Sequence, residues 1–120
     1  MARILIVEDD FLIADATRRV LEAAGHTVIG EAPGADRALA LAATVPFDLA
    51  IVDMKLAGGG DGMALAAELA ASHGCRIVVA TAYADWVVER AGRPAFVAGV
   101  VHKPYAPEAL LAALAQALSG

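Results

Sequence analysis

The polar residues able to do chemistry follow short apolar runs. The acidic run Glu8-Asp9-Asp10 closes Ile4-Leu5-Ile6-Val7, and Asp53 closes Leu49-Ala50-Ile51-Val52. Thr81 follows Ile77-Val78-Val79-Ala80, and His102-Lys103-Pro104 follows the run that starts at Val97. Carboxylates gathered in one small site repel each other. The chain has only two lysines, Lys55 and Lys103, and one ammonium does not neutralise three carboxylates. A hard divalent cation would, and an oxygen-only donor set suits Mg²⁺ with several retained waters. A metal and an ammonium holding phosphoryl oxygens while a carboxylate attacks in line is phosphoryl-transfer chemistry, with the Thr81 hydroxyl able to donate to one of those oxygens.

Each residue alone has a plainer reading. An aspartate at a strand end often caps the next helix, Lys-Pro is usually a turn, and a lone threonine says nothing. The conjunction after four separate strand-like runs carries the functional reading. Asp10 stays open between a helix N-cap and a metal contact. His102 stays open between facing the surface and tuning the site.

These residues need elements to bring them together. The apolar runs are rich in branched residues and solid rather than alternating, the pattern of strands buried on both faces of a parallel sheet. Strands are expected at 4–7, 27–29, 49–52, 77–80 and within 97–102. Helical spacing lies between them. The segment 11–24 is expected to bury Leu12, Ala16, Val20 and Ala23, with Gly25 as its stop. Ala35 to Thr44 forms a short helix, and Asp61 caps another that Gly74 ends. The segment 85–91 is a weakly marked helix, interrupted afterwards by Gly92 and Pro94. Pro107 opens a last helix with Leu110, Leu111, Leu114 and Leu118 as its buried stripe. Five such units are too few for a closed barrel, so the fold class is an open three-layer α/β sandwich with helices on both faces of a five-stranded parallel sheet. In that architecture ligands bind at the carboxyl ends of strands, where the acids, hydroxyl and lysine fall.

Composition sets the outer bounds. The 120 residues suit one domain, and 59% hydrophobic against 19% charged residues is too apolar for disorder. Nine basic against 14 acidic residues give a net charge of −5. The only basic pair, Arg18-Arg19, reads as a solvated helix face, so direct nucleic-acid binding is not expected. No apolar run reaches the ~18 residues of a membrane span, and no signal peptide is evident, so a cytoplasmic location is expected. Cys75, the single cysteine, reads as a buried free thiol.

With these residues in place, the chain resembles the receiver domains of bacterial two-component response regulators. The resemblance rests on Ile4-Leu5-Ile6-Val7-Glu8-Asp9-Asp10, Asp53 after its apolar run, Ala80-Thr81-Ala82 and Lys103-Pro104-Tyr105, and it spans essentially the whole chain. It implies the flavodoxin-like strand order 2-1-3-4-5 and a single receiver domain over 1–120. It implies that Glu8, Asp9 and Asp53, with the backbone carbonyl of Lys55, bind Mg²⁺. It implies that Asp53 accepts a phosphoryl group from a histidine kinase or histidine phosphotransfer protein, with Thr81 and Lys103 moving toward the new phosphate. The Lys103-Pro104 bond is expected to be cis. Phosphorylation would switch the face formed by helix 4, strand 5 and helix 5, which in this sequence are 85–91, 97–102 and 107–118. A downstream protein or a second copy would bind there. The domain is not expected to turn over external substrates.

The sequence also departs from the family. Many receivers carry Tyr or Phe three residues before the lysine, where this chain has Val100, so aromatic coupling would be either absent or rerouted through Tyr83 or Tyr105. Trp86 reads as a semi-buried anchor or as a partner contact, and the Lys55 side chain puts a positive charge beside Asp53. Two other uses of aspartate or of this topology fit poorly. A flavin-phosphate loop would be repelled by Glu8-Asp9-Asp10, and a dehalogenase-type phosphatase would want Asp-x-Asp and a longer chain. The remaining alternative is a receiver-like scaffold that binds partners without phosphate.

Overall fold

The structure is a computed structural model describing residues 1–55, 61–82 and 94–119. In chain order the elements are β1 (Arg3–Val7), α1 (Phe11–Ala23), β2 (Thr27–Ala32), α2 (Ala35–Thr44), β3 (Leu49–Asp53), α3 (Gly62–His73), β4 (Arg76–Thr81), β5 (Val97–His102) and α4 (Pro107–Ser119). The helix expected at 85–91, with Tyr83 and Trp86, lies outside the described residues. The last helix is therefore α4 here.

Among the described residues, five strands pair in parallel in the order β2-β1-β3-β4-β5. Strand residues alternate between two cores, as the two-residue strand period requires. Ile4, Ile6, Leu49, Ile51 and Val78 face one core with α1 and α4. Leu5, Val7, Ala50, Val52 and Ile77 face the other with α2 and α3. Burial on both faces explains why β1, β3 and β4 read as solid apolar runs. The expected open three-layer architecture and strand order are those of the structure.

The helix boundaries follow local chemistry. Asp10 caps α1 by accepting from the amides of Leu12 (2.9 Å) and Ile13 (3.1 Å), and Asp61 caps α3 through the Met63 amide at 2.9 Å. Gly25 and Gly74 stop the preceding helices at φ of +94° and +64°, where side chains are disfavoured.

Three expectations need correction. β2 runs on to Ala32 rather than ending at Ile29. Gly30 stays in the strand, beside a register shift opposite Ile4/Leu5. A Cβ there would lie 2.8 Å from Leu41 Cδ1, the tip of an α2 side chain that packs over the glycine. The buried stripe of α1 is Ala14, Thr17 and Leu21; Val20 packs at its margin, while Leu12, Ala16 and Ala23 are exposed. Alanines fall on two opposite faces of this helix, Ala14 on one and Ala16 and Ala23 on the other, so spacing alone does not choose the face. The choice falls on the side where the Thr17 hydroxyl finds a partner. Arg18 is not merely solvated: it is half-buried and bridges α1 to β2 through Glu31. In α4, Leu110 and Leu114 are fully buried, while Leu111 and Leu118 pack at the core margin and Ala113 and Ala117 complete the stripe.

Among the described residues, no helix is long and apolar enough to cross a membrane. Cys75 is a buried free cysteine, as expected.

Candidate functional site

Parallel strands β1, β3, β4 and β5 deliver their last residues to one edge of the sheet. Glu8 follows β1 directly and is held there by its amide, which donates to the Ala32 carbonyl of β2 at 2.9 Å. Asp53 is the last residue of β3, level with Ala80 of β4. Thr81 and His102 end β4 and β5 in register with each other. A cleft of about 280 Å³ opens there, lined by Asp9, Asp10, Asp53, Lys55, Thr81 and Lys103 among others.

Glu8, Asp9 and Asp53 each place a carboxylate oxygen within 4.8 Å of the others. Glu8 and Asp53 are buried and Asp9 is exposed. The Lys103 ammonium sits between the two buried acids, 2.8 Å from Glu8 Oε1 and 3.0 Å from Asp53 Oδ2. The second oxygen of each acid accepts from the backbone amide two residues on: Asp10 N–H to Glu8 Oε2 at 3.1 Å, and Lys55 N–H to Asp53 Oδ1 at 3.2 Å. Both carboxylates are thus aimed by the chain that follows them. Lys103 is placed by its own amide, which donates to the Thr81 carbonyl at 3.0 Å, and the following Lys103-Pro104 bond is cis.

Charge is costly in this site. Burial pushes the Glu8 carboxyl up to about 7; Lys103 opposes the shift and neighbouring Asp53 adds to it. Burial works against the Lys103 charge, but the hydrogen bonds and charges of Glu8 and Asp53 prevail and raise its pKa. One ammonium shared by two buried carboxylates, with a third within reach, leaves negative charge over. The donor set is oxygen alone, which a hard cation fits and a soft one does not. The cluster can therefore coordinate a metal.

The residues singled out in the sequence do not all behave alike. Glu8, Asp9, Asp53 and Lys103 come together, and Thr81 and Lys55 line the same cleft. Asp10 lines it too, but its carboxylate is engaged as the α1 cap and is not part of the three-acid group. His102 is exposed and outside the cleft lining. Val100 is half-buried against the α2/α3 core.

Sequence reasoning missed Gly62. It opens α3 and lies against Asp53: a Cβ there would be 2.0 Å from the Asp53 carbonyl oxygen and 2.8 Å from Met54 Cα. Its amide donates to the Met54 carbonyl at 3.1 Å. The signal was the pair Asp61-Gly62, which reads as a cap followed by an ordinary first helical residue.

A parallel sheet in this order, with acids after β1 and β3 and a lysine after β5, defines the receiver class of α/β proteins. The chain belongs to the response regulator receiver domain family, whose model matches residues 4–115. It is 36% identical over 118 residues to the transcriptional regulatory protein PdtaR of Mycobacterium tuberculosis, covering 98% of this chain and 57% of that protein. The structure of the response regulator PhyR from Brucella abortus superposes with a TM-score of 0.88 at 30% identity, over 98% of this chain and 48% of that one. A CheY-like receiver domain protein from Methanospirillum hungatei superposes with a TM-score of 0.84 at 30% identity, over 100% and 99% of the two chains. The chain spans about half the length of the curated relatives it matches.

Proposed function

We propose that this chain is a phosphoacceptor receiver domain, occupying 1–120, in which Asp53 takes a phosphoryl group from the phosphohistidine of a kinase or phosphotransfer protein. The observation that carries the reading is the Lys103 ammonium held between the buried Glu8 and Asp53 carboxylates, with Asp9 beside them. A carboxylate so placed is paired, oriented and open to the cleft.

In the transfer, an Asp53 oxygen forms the new O–P bond as the N–P bond to the donor imidazole breaks, and the electron pair leaves with that nitrogen. Lys103 stays paired with Glu8 while its ammonium turns from Asp53 toward the incoming phosphoryl oxygens, and Thr81 offers its hydroxyl to another. Glu8, Asp9, Asp53 and the Lys55 carbonyl would hold Mg²⁺, which when bound supplies neutralisation of the phosphoryl charge. The acyl phosphate adds about −1.5 to −2 charges at the ends of β3 and β4. The Thr81 and Lys103 segments respond, and the change passes to the face of 85–91, β5 and α4, where a downstream protein or second copy binds. The kinase side of the exchange meets Phe11 and Leu12, both about three-quarters exposed at the first turn of α1 beside the acids. Cytoplasm is the compartment this chemistry calls for.

The test is mass spectrometry after incubation with Mg²⁺ and a small phosphodonor such as acetyl phosphate. One added phosphoryl group on the wild type, absent in Asp53→Asn, supports the reading. No gain on the wild type overturns it in favour of a phosphate-independent scaffold.

A further inference from the structure

Tyr105 lies two residues beyond Lys103, on the segment linking β5 to α4. Its ring packs against the α1/α4 core, and its hydroxyl shares a 2.6 Å hydrogen bond with Thr17 Oγ1. Thr17 is only 3% exposed, the one polar member of the buried stripe of α1. Burial raises the Tyr105 phenol pKa, so the hydroxyl remains protonated.

The geometry around this bond is specific. α1 starts directly behind the acidic run, with Asp10 as its N-cap, and forms one wall here. Lys103 is on the opposite wall. Between them runs a cleft of about 240 Å³ lined by Leu12, Ile13, Ala16, Lys103, Pro104 and Tyr105. Apolar side chains there slide past one another at little cost, whereas a short buried hydrogen bond fixes a distance. Pro104 has no N–H with which to anchor the segment. The Lys103 segment is thus held by its amide on Thr81, by its ammonium on the acids, and by the phenol on α1.

We propose that Tyr105 is a positioning residue for phosphoryl transfer: its bond to Thr17 fixes the Lys103 segment against α1 and so sets how far the ammonium reaches over the acid site. This rests on the reading that Lys103 serves chemistry at Asp53. When the ammonium turns toward a phosphoryl group, the tether keeps its backbone in place, so that the side chain rather than the whole segment moves.

The test compares wild type with Tyr105→Phe, Thr17→Val, Thr17→Ser and the Phe/Val double variant. The maximal rate of phosphorylation by acetyl phosphate at saturating Mg²⁺ is expected to fall about threefold to tenfold in Tyr105→Phe and in Thr17→Val, with little change in the half-saturating donor concentration. The double variant is no slower than the single ones, because both remove one bond. Thr17→Ser, which keeps the hydroxyl, stays within about twofold of wild type. A second measurement needs no phosphodonor. Hydrogen exchange at the Lys103 amide, measured against the Val45 amide at the end of α2 as an internal reference, accelerates in Tyr105→Phe. Rates within about twofold of wild type in both single variants would overturn the proposal even if both melt earlier, since the bond would then be structural only. Unchanged relative exchange at Lys103 would overturn it whatever the kinetics. A wild type that takes up no phosphoryl group at all would instead refute the underlying reading, and the exchange measurement would still decide the tether.

Discussion

Gly62→Ala sets two effects of opposite sign against each other. In an exposed helix the exchange favours alanine by about 0.8–1.0 kcal/mol. At Gly62 the new Cβ would stand 2.0 Å from the Asp53 carbonyl oxygen, with Met54 Cα at 2.8 Å and Asp53 C at 2.9 Å. Real Cβ atoms essentially never come closer than 3.0 Å, so about an ångström of separation has to be found. All three obstructing atoms are backbone, so no rotamer change relieves the clash. Either α3 lifts from the end of β3, losing the Gly62 amide bond to Met54, or the 53–54 segment is pushed aside. Overpacking against backbone costs about 3 kcal/mol, which outweighs the propensity gain severalfold. For a domain of this size that lowers Tm by roughly 10 °C. The displaced segment carries the Asp53 carboxylate, and an ångström of misplacement can slow a reaction by about a hundredfold. Thermal unfolding followed by circular dichroism, alongside phosphoryl uptake from acetyl phosphate, measures both. A variant as stable as wild type, or more so, with normal uptake would refute the packing argument and leave helix propensity in charge.

Asp10→Ala should cost about 1 kcal/mol of stability through loss of the α1 cap, whereas Asp10→Ser should keep most of it and Mg²⁺ affinity should change less than about threefold in either; a loss of affinity in Asp10→Ser would make Asp10 a ligand rather than a cap. Glu8 binds a proton in the folded state up to about 7, above its ordinary value of 4.5. The folded protein therefore holds a proton the unfolded chain lacks between those values, and metal-free stability should decline as pH rises through that window. Mg²⁺ has to displace the proton, so its affinity by calorimetry should climb to about pH 7 and level off above it, and flat affinity across that range would contradict the shift. Burial pushes the Cys75 thiol up to about 11. Its alkylation at pH 8 should run about a hundredfold slower than that of a free thiol until denaturant is added, and fast labelling of the native protein would show the residue to be exposed.

How much of this was readable beforehand depends on the scale of the interaction. Strand identity was legible in β1, β3 and β4 because burial on two faces leaves no polar position to confuse the period. The bounds of α2 coincide with its alanine-leucine run, and the Asp61 cap announces itself by residue type, whereas the structure was needed to choose the cap over the metal contact at Asp10. The gathering of Glu8, Asp9, Asp53 and Lys103 was inferable from the rule that parallel strands present their carboxyl ends together. What escaped depends on which surfaces meet. β2 past Ile29 shows no apolar run, and Gly30 gives no sign of the Leu41 side chain packed above it. Thr17 counts against burial by polarity, and its partner, the Tyr105 hydroxyl, lies 88 residues away. Gly62 is unremarkable until the Asp53 carbonyl is placed beneath it.

The backbone hydrogen bond from Lys103 to the Thr81 carbonyl carries the β4–β5 ladder one rung beyond the last paired residues, and Met54 does the same across β3 and β4 through Ala80. Three neighbouring strand tips are consequently cross-linked by main chain at the lip of the site. A load applied at one tip is shared by the other two without passing through any side chain. Such stiffness is indifferent to side-chain identity, so a valine at 100 leaves this line of communication whole.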